Sequence, residues 1–288
     1  MDNLFMPSLT NTNLFLQTIT LVCFASLQAE ACQVTDYLAI ETPRESEVAE
    51  LDALRLAYTD IVVSPGGTAV SFDGQNWFDL GEIRDIPADA ALRDPTIREQ
   101  FKYRYPLDFD LSLREEPFFD PGRLRNGPFF NALYFADENA ARASLDDVLE
   151  PALSDRPFQV TRKRNVSCQF RAALAELAAS GEDYRAVFRG AGGGFNWRVI
   201  SGTSRLSTHS FGIAIDVNAD IGKYWQWTGA RQGAVPTYNN EIPQALVRTM
   251  ERYGFIWGGK WHHFDGMHFE YRPELILYSR IVTNLDRD

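Results

Sequence analysis

The sequence predicts an α+β fold built on a mainly antiparallel sheet, and three observations carry that expectation. Apolar residues alternate with polar ones in short stretches at Trp197 to Ile200, Ile213 to Val217 and Met267 to Tyr271, the period of a half-buried strand. Two longer stretches, Val166 to Ser180 and Ile242 to Tyr253, carry apolar residues at helical spacing. Strands and helices follow one another without the regular strand–helix–strand rhythm that builds a parallel sheet.

Each element has its local reason. Glu47 to Tyr58 is predicted helical through Val48, Leu51, Leu54 and Leu56. Ile61-Val62-Val63, Ala69 to Phe72 and Trp77-Phe78 are separated by Pro65-Gly66-Gly67 and Asp73-Gly74. They read as a small β-meander with Asp73-Gly74 as a tight hairpin turn. From Ile83 to Pro128 the chain is rich in Pro and Asp with scattered aromatics, which predicts order by packing and little regular structure. Asp120-Pro121-Gly122-Arg123 reads as a turn, and Asp137 as the cap of a helix running through Leu149. In the helix from Val166, Phe170, Leu174 and Leu177 share one stripe and Gly181 stops it. The helix from Ile242 has Asn239 or Asn240 as its cap and Gly254 as its end.

A chain of 288 residues makes one large domain or two small ones, with ample material for a core. Its net charge of −11 opposes binding to nucleic acid, whose phosphates would repel it. An anionic polymer of the cell surface would have to be held by local contacts for the same reason. The apolar run Leu14 to Ala25 is too short and too polar for a stable membrane span. Followed by Ala29 and Ala31, it suits a signal peptide over residues 1–31, hence a periplasmic or secreted protein. Asp2 and the lack of Lys or Arg ahead of the run make this leader atypical; an apolar helix packed on the domain is the alternative. Cleavage would leave Cys32 and Cys168 able to pair in an oxidising compartment. No C-x-x-C spacing exists, which excludes a thiolate zinc site.

Chemistry concentrates in Ser207 to Asp216 and Trp261 to Glu270. Read as a strand, Ile213, Ile215 and Val217 face the core, while Ala214, Asp216 and Asn218 face away. His209 sits in the Ser/Thr-rich turn that enters this strand. In the last strand Met267, Phe269 and Tyr271 face the core, and His268 and Glu270 share the opposite face. His209, Asp216 and His268 then offer two imidazoles and a carboxylate, a zinc set that leaves the fourth position for water. Zinc lowers the pKa of such water to about 7. A general base must take the proton, and Asp265, linked to His268 through Gly266, is placed to do so. A fixed cation should stabilise the developing oxyanion; Arg198 is the first candidate and Arg205 the second, a surface ion pair being the favoured reading of Arg205. Ser207 fits a substrate contact or a turn-forming role equally. His262 or His263 could replace His268 or line a cleft, but strand phase and the distance from Asp265 favour His268. Glu270 fits a partner orienting a ligand histidine or a surface carboxylate.

These residues resemble the zinc D-alanyl-D-alanine carboxypeptidase family (VanY-like), which also contains L-alanyl-D-glutamate endopeptidases. The family pattern Ser-x-His-x-x-Gly-x-Ala-x-Asp stands at Ser207 to Asp216, Gly-Phe-x-Trp-Gly-Gly-x-Trp at Gly254 to Trp261, and Asp-x-x-His-Phe at Asp265 to Phe269. Asp120 to Arg123 and Phe129-Phe130 resemble extended members of the group. The resemblance implies a small antiparallel sheet flanked by helices, as in the Hedgehog/D,D-peptidase group, with an N-terminal extension. It implies His209, Asp216 and His268 as zinc ligands, Asp265 as base, Arg198 as catalytic arginine and peptidoglycan stem peptides as substrate. Carboxypeptidase branches generally carry Glu as the base, so Asp265 points to the endopeptidase branch. The expected organisation is a signal peptide over 1–31, an N-terminal region of unassigned role over 32–156 and a catalytic domain over 157–288. The rival reading is a zinc-bearing module that binds wall peptides or a protein partner without cutting. A serine or cysteine hydrolase finds no Gly-x-Ser-x-Gly elbow and no convincing Cys–His pairing.

Overall fold

The computed structural model describes residues 1, 32–200 and 203–286; the expected signal peptide falls, Met1 apart, outside them. The helical spacing after Glu47 produces α1 (Ala49–Ala57). The meander follows as β1 (Val62–Val63), β2 (Ala69–Ser71) and β3 (Trp77–Asp79), all antiparallel. Its hairpin is wider than Asp73-Gly74 predicted, because Ser71 pairs with Trp77 and leaves residues 72–76 in the loop. The Asp73 carboxylate organises that loop, accepting the backbone N–H groups of Gln75 at 2.8 Å and Asn76 at 2.7 Å. Ile83 to Pro128 holds little regular structure beyond α2 (Ala88–Arg93), two single 3-10 turns and the start of α3 (Gly127–Leu133). Asp120 to Arg123 forms the expected turn, the Arg123 N–H donating to the Asp120 carbonyl at 3.1 Å.

Asp137 caps α4 (Glu138–Ala143), accepting from the Ala140 N–H at 2.9 Å. That helix stops at Ala143, short of the predicted Leu149, where the Ser144 hydroxyl donates to the Ala141 carbonyl at 2.7 Å. Leu145–Val148 is a strand instead, β4, paired antiparallel with β5 (Phe158–Thr161). The pairing buries Val148, Phe158 and Val160, a tertiary gain that local helix propensity does not register. Next come α5 (Val166–Ala179), the short α6 (Arg185–Phe188) and β6 (Ala191–Gly193). Trp197 to Ile200 is not the expected strand: Val199 makes an isolated bridge to Leu206. Ser210 holds this segment, its Oγ accepting from the Arg198 N–H and donating to the Arg198 carbonyl, both at 2.9 Å.

The chain continues through β7 (Ala214–Asn218), the single-turn α7 (Ala219–Gly222) and α8 (Gln244–Arg252). No asparagine side chain caps α8, which starts after Pro243. Asn240 brackets Ile242 instead, accepting from its N–H at 2.9 Å and donating to its carbonyl at 2.8 Å. The last elements are β8 (Phe255–Trp257), β9 (His268–Tyr271) and α9 (Pro273–Leu285). The main sheet has the order β6-β7-β9-β8 with every pair antiparallel, so the fold is α+β as the sequence predicts.

The described residues from Cys32 onward form one compact unit. Helix α1 packs on α9, and Tyr58 at its end donates to Glu274 Oε2 at 2.6 Å. Behind the sheet, Phe170 of α5 meets Phe255 of β8 with ring centroids 5.6 Å apart. A disulfide joins Cys32 to Cys168 in α5 across 136 residues of chain, a loop whose closure is worth roughly 5 kcal/mol in the chain-entropy account. No described helix is long and apolar enough to cross a membrane.

Candidate active site

The turn that enters β7 is a 3-10 turn, Thr208–Phe211, whose N-terminal end is capped by Ser207 accepting from the His209 N–H at 3.4 Å. Gly212 closes it at φ +67°, where a Cβ would stand 3.0 Å from the Thr161 nitrogen; glycine meets both demands. Ser207 therefore performs the turn-forming role and also lines the cleft above the sheet. In the ladder Asp216 lies opposite His268 and Ala214 opposite Glu270, which sets each pair on one face.

Three side chains meet there, with ligand-type atoms all within 4.8 Å of one another. His209 Nε2 lies 3.3 Å from Asp216 Oδ2 and 3.2 Å from His268 Nδ1, and His268 Nδ1 lies 3.0 Å from Asp216 Oδ1. A tetrahedral zinc with ligands at about 2.0–2.2 Å has ligand–ligand edges of about 3.3–3.6 Å, close to these spacings. The other ring nitrogens are engaged: His209 Nδ1 donates to the Gly194 carbonyl at 2.6 Å, and His268 Nε2 to Glu270 Oε2 at 3.1 Å. Those bonds leave His209 Nε2 and His268 Nδ1 as the converging donors. The set fits a metal in kind, number and spacing.

Electrostatics agree with a cation-seeking point. Burial alone would raise the Asp216 carboxyl, but His209 and His268 outweigh it and hold the group well below the usual range. Burial would lower His268, yet hydrogen bonds with Asp216 and Glu270 push it up to about 10. A metal entering here displaces that proton, so uptake and proton release are linked. Glu270 is fully buried, which settles it as the partner of His268 rather than a surface carboxylate. It is backed by Arg272 Nη1 at 3.0 Å and Arg125 Nη1 at 3.6 Å.

Asp265 lines the same cleft of ≈ 120 Å³. Its Oδ1 is buried with no described hydrogen-bond partner, and burial raises its carboxyl to about 6, against the pull of His268. Gly266 lets the turn close: a Cβ there would stand 1.9 Å from the Gly222 carbonyl oxygen. Arg198 lines the cleft from an exposed position. Arg205 is half-buried and makes, among the described residues, no surface ion pair; its Nη1 donates to the Arg123 carbonyl at 3.0 Å.

His262 and His263 stay outside the converging set. His262 Nδ1 donates to the Arg114 carbonyl at 2.8 Å and its Nε2 accepts from the Val235 N–H at 3.4 Å. His263 Nδ1 donates to Asp120 Oδ2 at 2.6 Å and its Nε2 accepts from the Gly233 N–H at 3.0 Å. Both pin neighbouring segments, and the His263 ring also lines the cleft. The sequence reading missed Arg123, Arg125 and Tyr224, which complete the walls. Arg123 ends a turn that was legible and Arg125 follows it, but nothing local says which side of the molecule that turn meets.

A family model described as D-alanyl-D-alanine carboxypeptidase matches residues 201–271. The matched segment contains His209, Asp216, Asp265 and His268, and bears out the resemblance drawn from the motifs. No curated protein and no solved structure matches the chain. The match supports a peptidase acting on peptidoglycan-derived substrate, and the His–Asp–His cluster supports a metal-dependent one.

Proposed function

We propose that this protein is a zinc-dependent peptidase that hydrolyses peptide bonds in peptidoglycan stem peptides, cutting inside the peptide at an L-Ala–D-Glu type of bond in preference to removing a terminal D-Ala. The observation that carries this reading is a buried carboxylate oxygen of Asp265 with no partner among the described residues, beside three converging metal donors. A pure binding module has no use for such a base.

A zinc ion held by His209, Asp216 and His268 would supply Lewis acidity, polarising a carbonyl and lowering the pKa of water to about 7. Asp265 takes the proton of the attacking water and passes it to the leaving amine. Arg198, an exposed residue lining the cleft, offsets negative charge growing on the carbonyl oxygen. Glu270 holds His268 in one tautomer and one orientation. An aspartate rather than a glutamate as base supports the endopeptidase preference. Export to the periplasm or the exterior is supported by the apolar leader together with the Cys32–Cys168 disulfide.

Digestion of purified muropeptides by zinc-loaded protein, read by mass spectrometry, tests the proposal. Release of a peptide with a new N-terminal D-Glu is the expected result. Loss of a single terminal Ala would keep the peptidase and replace the endopeptidase preference. Intact muropeptides after incubation with protein shown to hold one zinc would overturn catalysis in favour of a binding module.

A further inference from the structure

Beside the metal cleft lies a second cavity of ≈ 300 Å³ that the chemistry above does not use. Arg125 lines both spaces, so they adjoin at its side chain. Phe130, Leu206 and Phe211 give the second cavity an apolar lining, while Arg93 and Asp94 contribute opposite charges. Arg205 breaks that balance. Its Nε is buried without a described hydrogen-bond partner, and its Nη1 is held by a main-chain carbonyl, not a carboxylate. Burial and the nearby guanidinium groups of Arg125 and Arg123 lower it to about 9, which still leaves it charged at neutral pH. Glu270 cannot neutralise it alone, being shared already by His268 at 3.1 Å, Arg272 at 3.0 Å and Arg125 at 3.6 Å. A partly buried cation with free N–H capacity, in a chain of net charge −11, is costly unless something anionic meets it.

We propose that this cavity is a subsite for a free carboxylate of the substrate peptide, received by Arg205 with Arg125, while its apolar lining takes the adjoining aliphatic stem. The identity of the ligand rests on the peptidase reading above. A guanidinium fork binds a carboxylate through two parallel N–H bonds, which fixes position as well as charge. In a stem peptide with lysine at its third position two free carboxylates meet the description: the C-terminal one, and whichever carboxyl of the D-Glu residue lies outside the peptide bond.

Calorimetric titration of the metal-free full chain with three synthetic stem peptides separates this site from catalysis. One peptide is unmodified, one is a C-terminal amide and one is amidated on the free D-Glu carboxyl. One of the two amidations should weaken binding at least about tenfold, as loss of a charge-assisted contact does, and so identify the bound carboxylate. Arg205→Gln should weaken the unmodified peptide by a similar factor and leave that amide unaffected, with Arg205→Lys recovering part of the loss. Equal weakening of all three peptides by Arg205→Gln, indifference to both amidations, or no binding of the unmodified peptide would overturn the proposal. Should Arg205→Gln fail to fold, the amide comparison on the unaltered chain decides alone. Selective binding without zinc-dependent hydrolysis would keep the subsite and remove the peptidase, and hydrolysis without selectivity would do the reverse.

Discussion

Two buried clusters of charge in this molecule are built from similar groups and end differently. In one, Lys260 donates to Glu251 Oε1 at 2.6 Å and to the Pro106 and Asp108 carbonyls at 2.7 and 2.8 Å. Tyr105 closes it, donating to Glu251 at 2.6 Å while its oxygen accepts the Trp257 N–H at 2.9 Å. Three ammonium protons have three acceptors, and the cluster ties the 105–108 segment to the end of β8. In the other, Tyr58, Glu274, Arg272, Glu270 and Arg125 run through the interior to His268. That cluster does not close: Arg272 Nη2 within it, Asp265 Oδ1 on the cleft where His209, Asp216 and His268 converge, and Arg205 Nε on the adjoining cavity are buried without described partners. A satisfied buried network fixes a fold, whereas one left open beside a cavity can take up a ligand there.

The contrast can be broken at several points. The largest effect on the site should come from His268→Ala, which removes a converging donor: bound zinc measured by elemental analysis should vanish and muropeptide hydrolysis fall to background. Asp265→Asn should keep one zinc per chain and lower hydrolysis about 10²- to 10⁴-fold, the share a positioned base contributes; full activity would remove Asp265 from the mechanism. Arg125→Met leaves Glu270 without one of its cations and should reduce zinc affinity by about 10- to 100-fold, measured by competition with a chelator. Lys260→Met breaks the closed cluster instead, and denaturant unfolding should show a loss of about 3–5 kcal/mol with zinc affinity unchanged. Equal effects of Arg125→Met and Lys260→Met on zinc affinity would erase the distinction between the clusters. Cys168→Ser should cost about 2–5 kcal/mol of stability and leave activity at 25 °C untouched, the smallest effect on the site.

Two of the three donors, Asp216 and His268, were legible because a strand's period of two leaves little freedom: once Ile213, Ile215 and Val217 face inward, Asp216 must face outward, and the same holds for Phe269 and His268. His209, in the turn before the strand, rested on the motif instead. Capping residues were legible as signals but not in extent. Asp137 does begin a helix, yet cross-strand burial of Val148 against β5 ends it at Ala143. Helix α9 was overlooked although Pro273 opens it at a position suited to proline. The walls of the site were least readable. Arg123 ends a turn in a Pro- and Asp-rich stretch and Arg125 follows it, and only folding brings that stretch against β9.

Gly222 and Gly266 meet main chain to main chain, so the loop carrying Asp265 has no room to retreat toward α7. The reach of the base is thereby set by backbone contact, and its side-chain length is not a free variable. Exchanging Asp265 for the longer glutamate would press the carboxylate onto the donors unless the chain near residue 222 opened in the same step. Among relatives, the identity of the base and the bulk of these two positions should then change hands together, as one inherited choice.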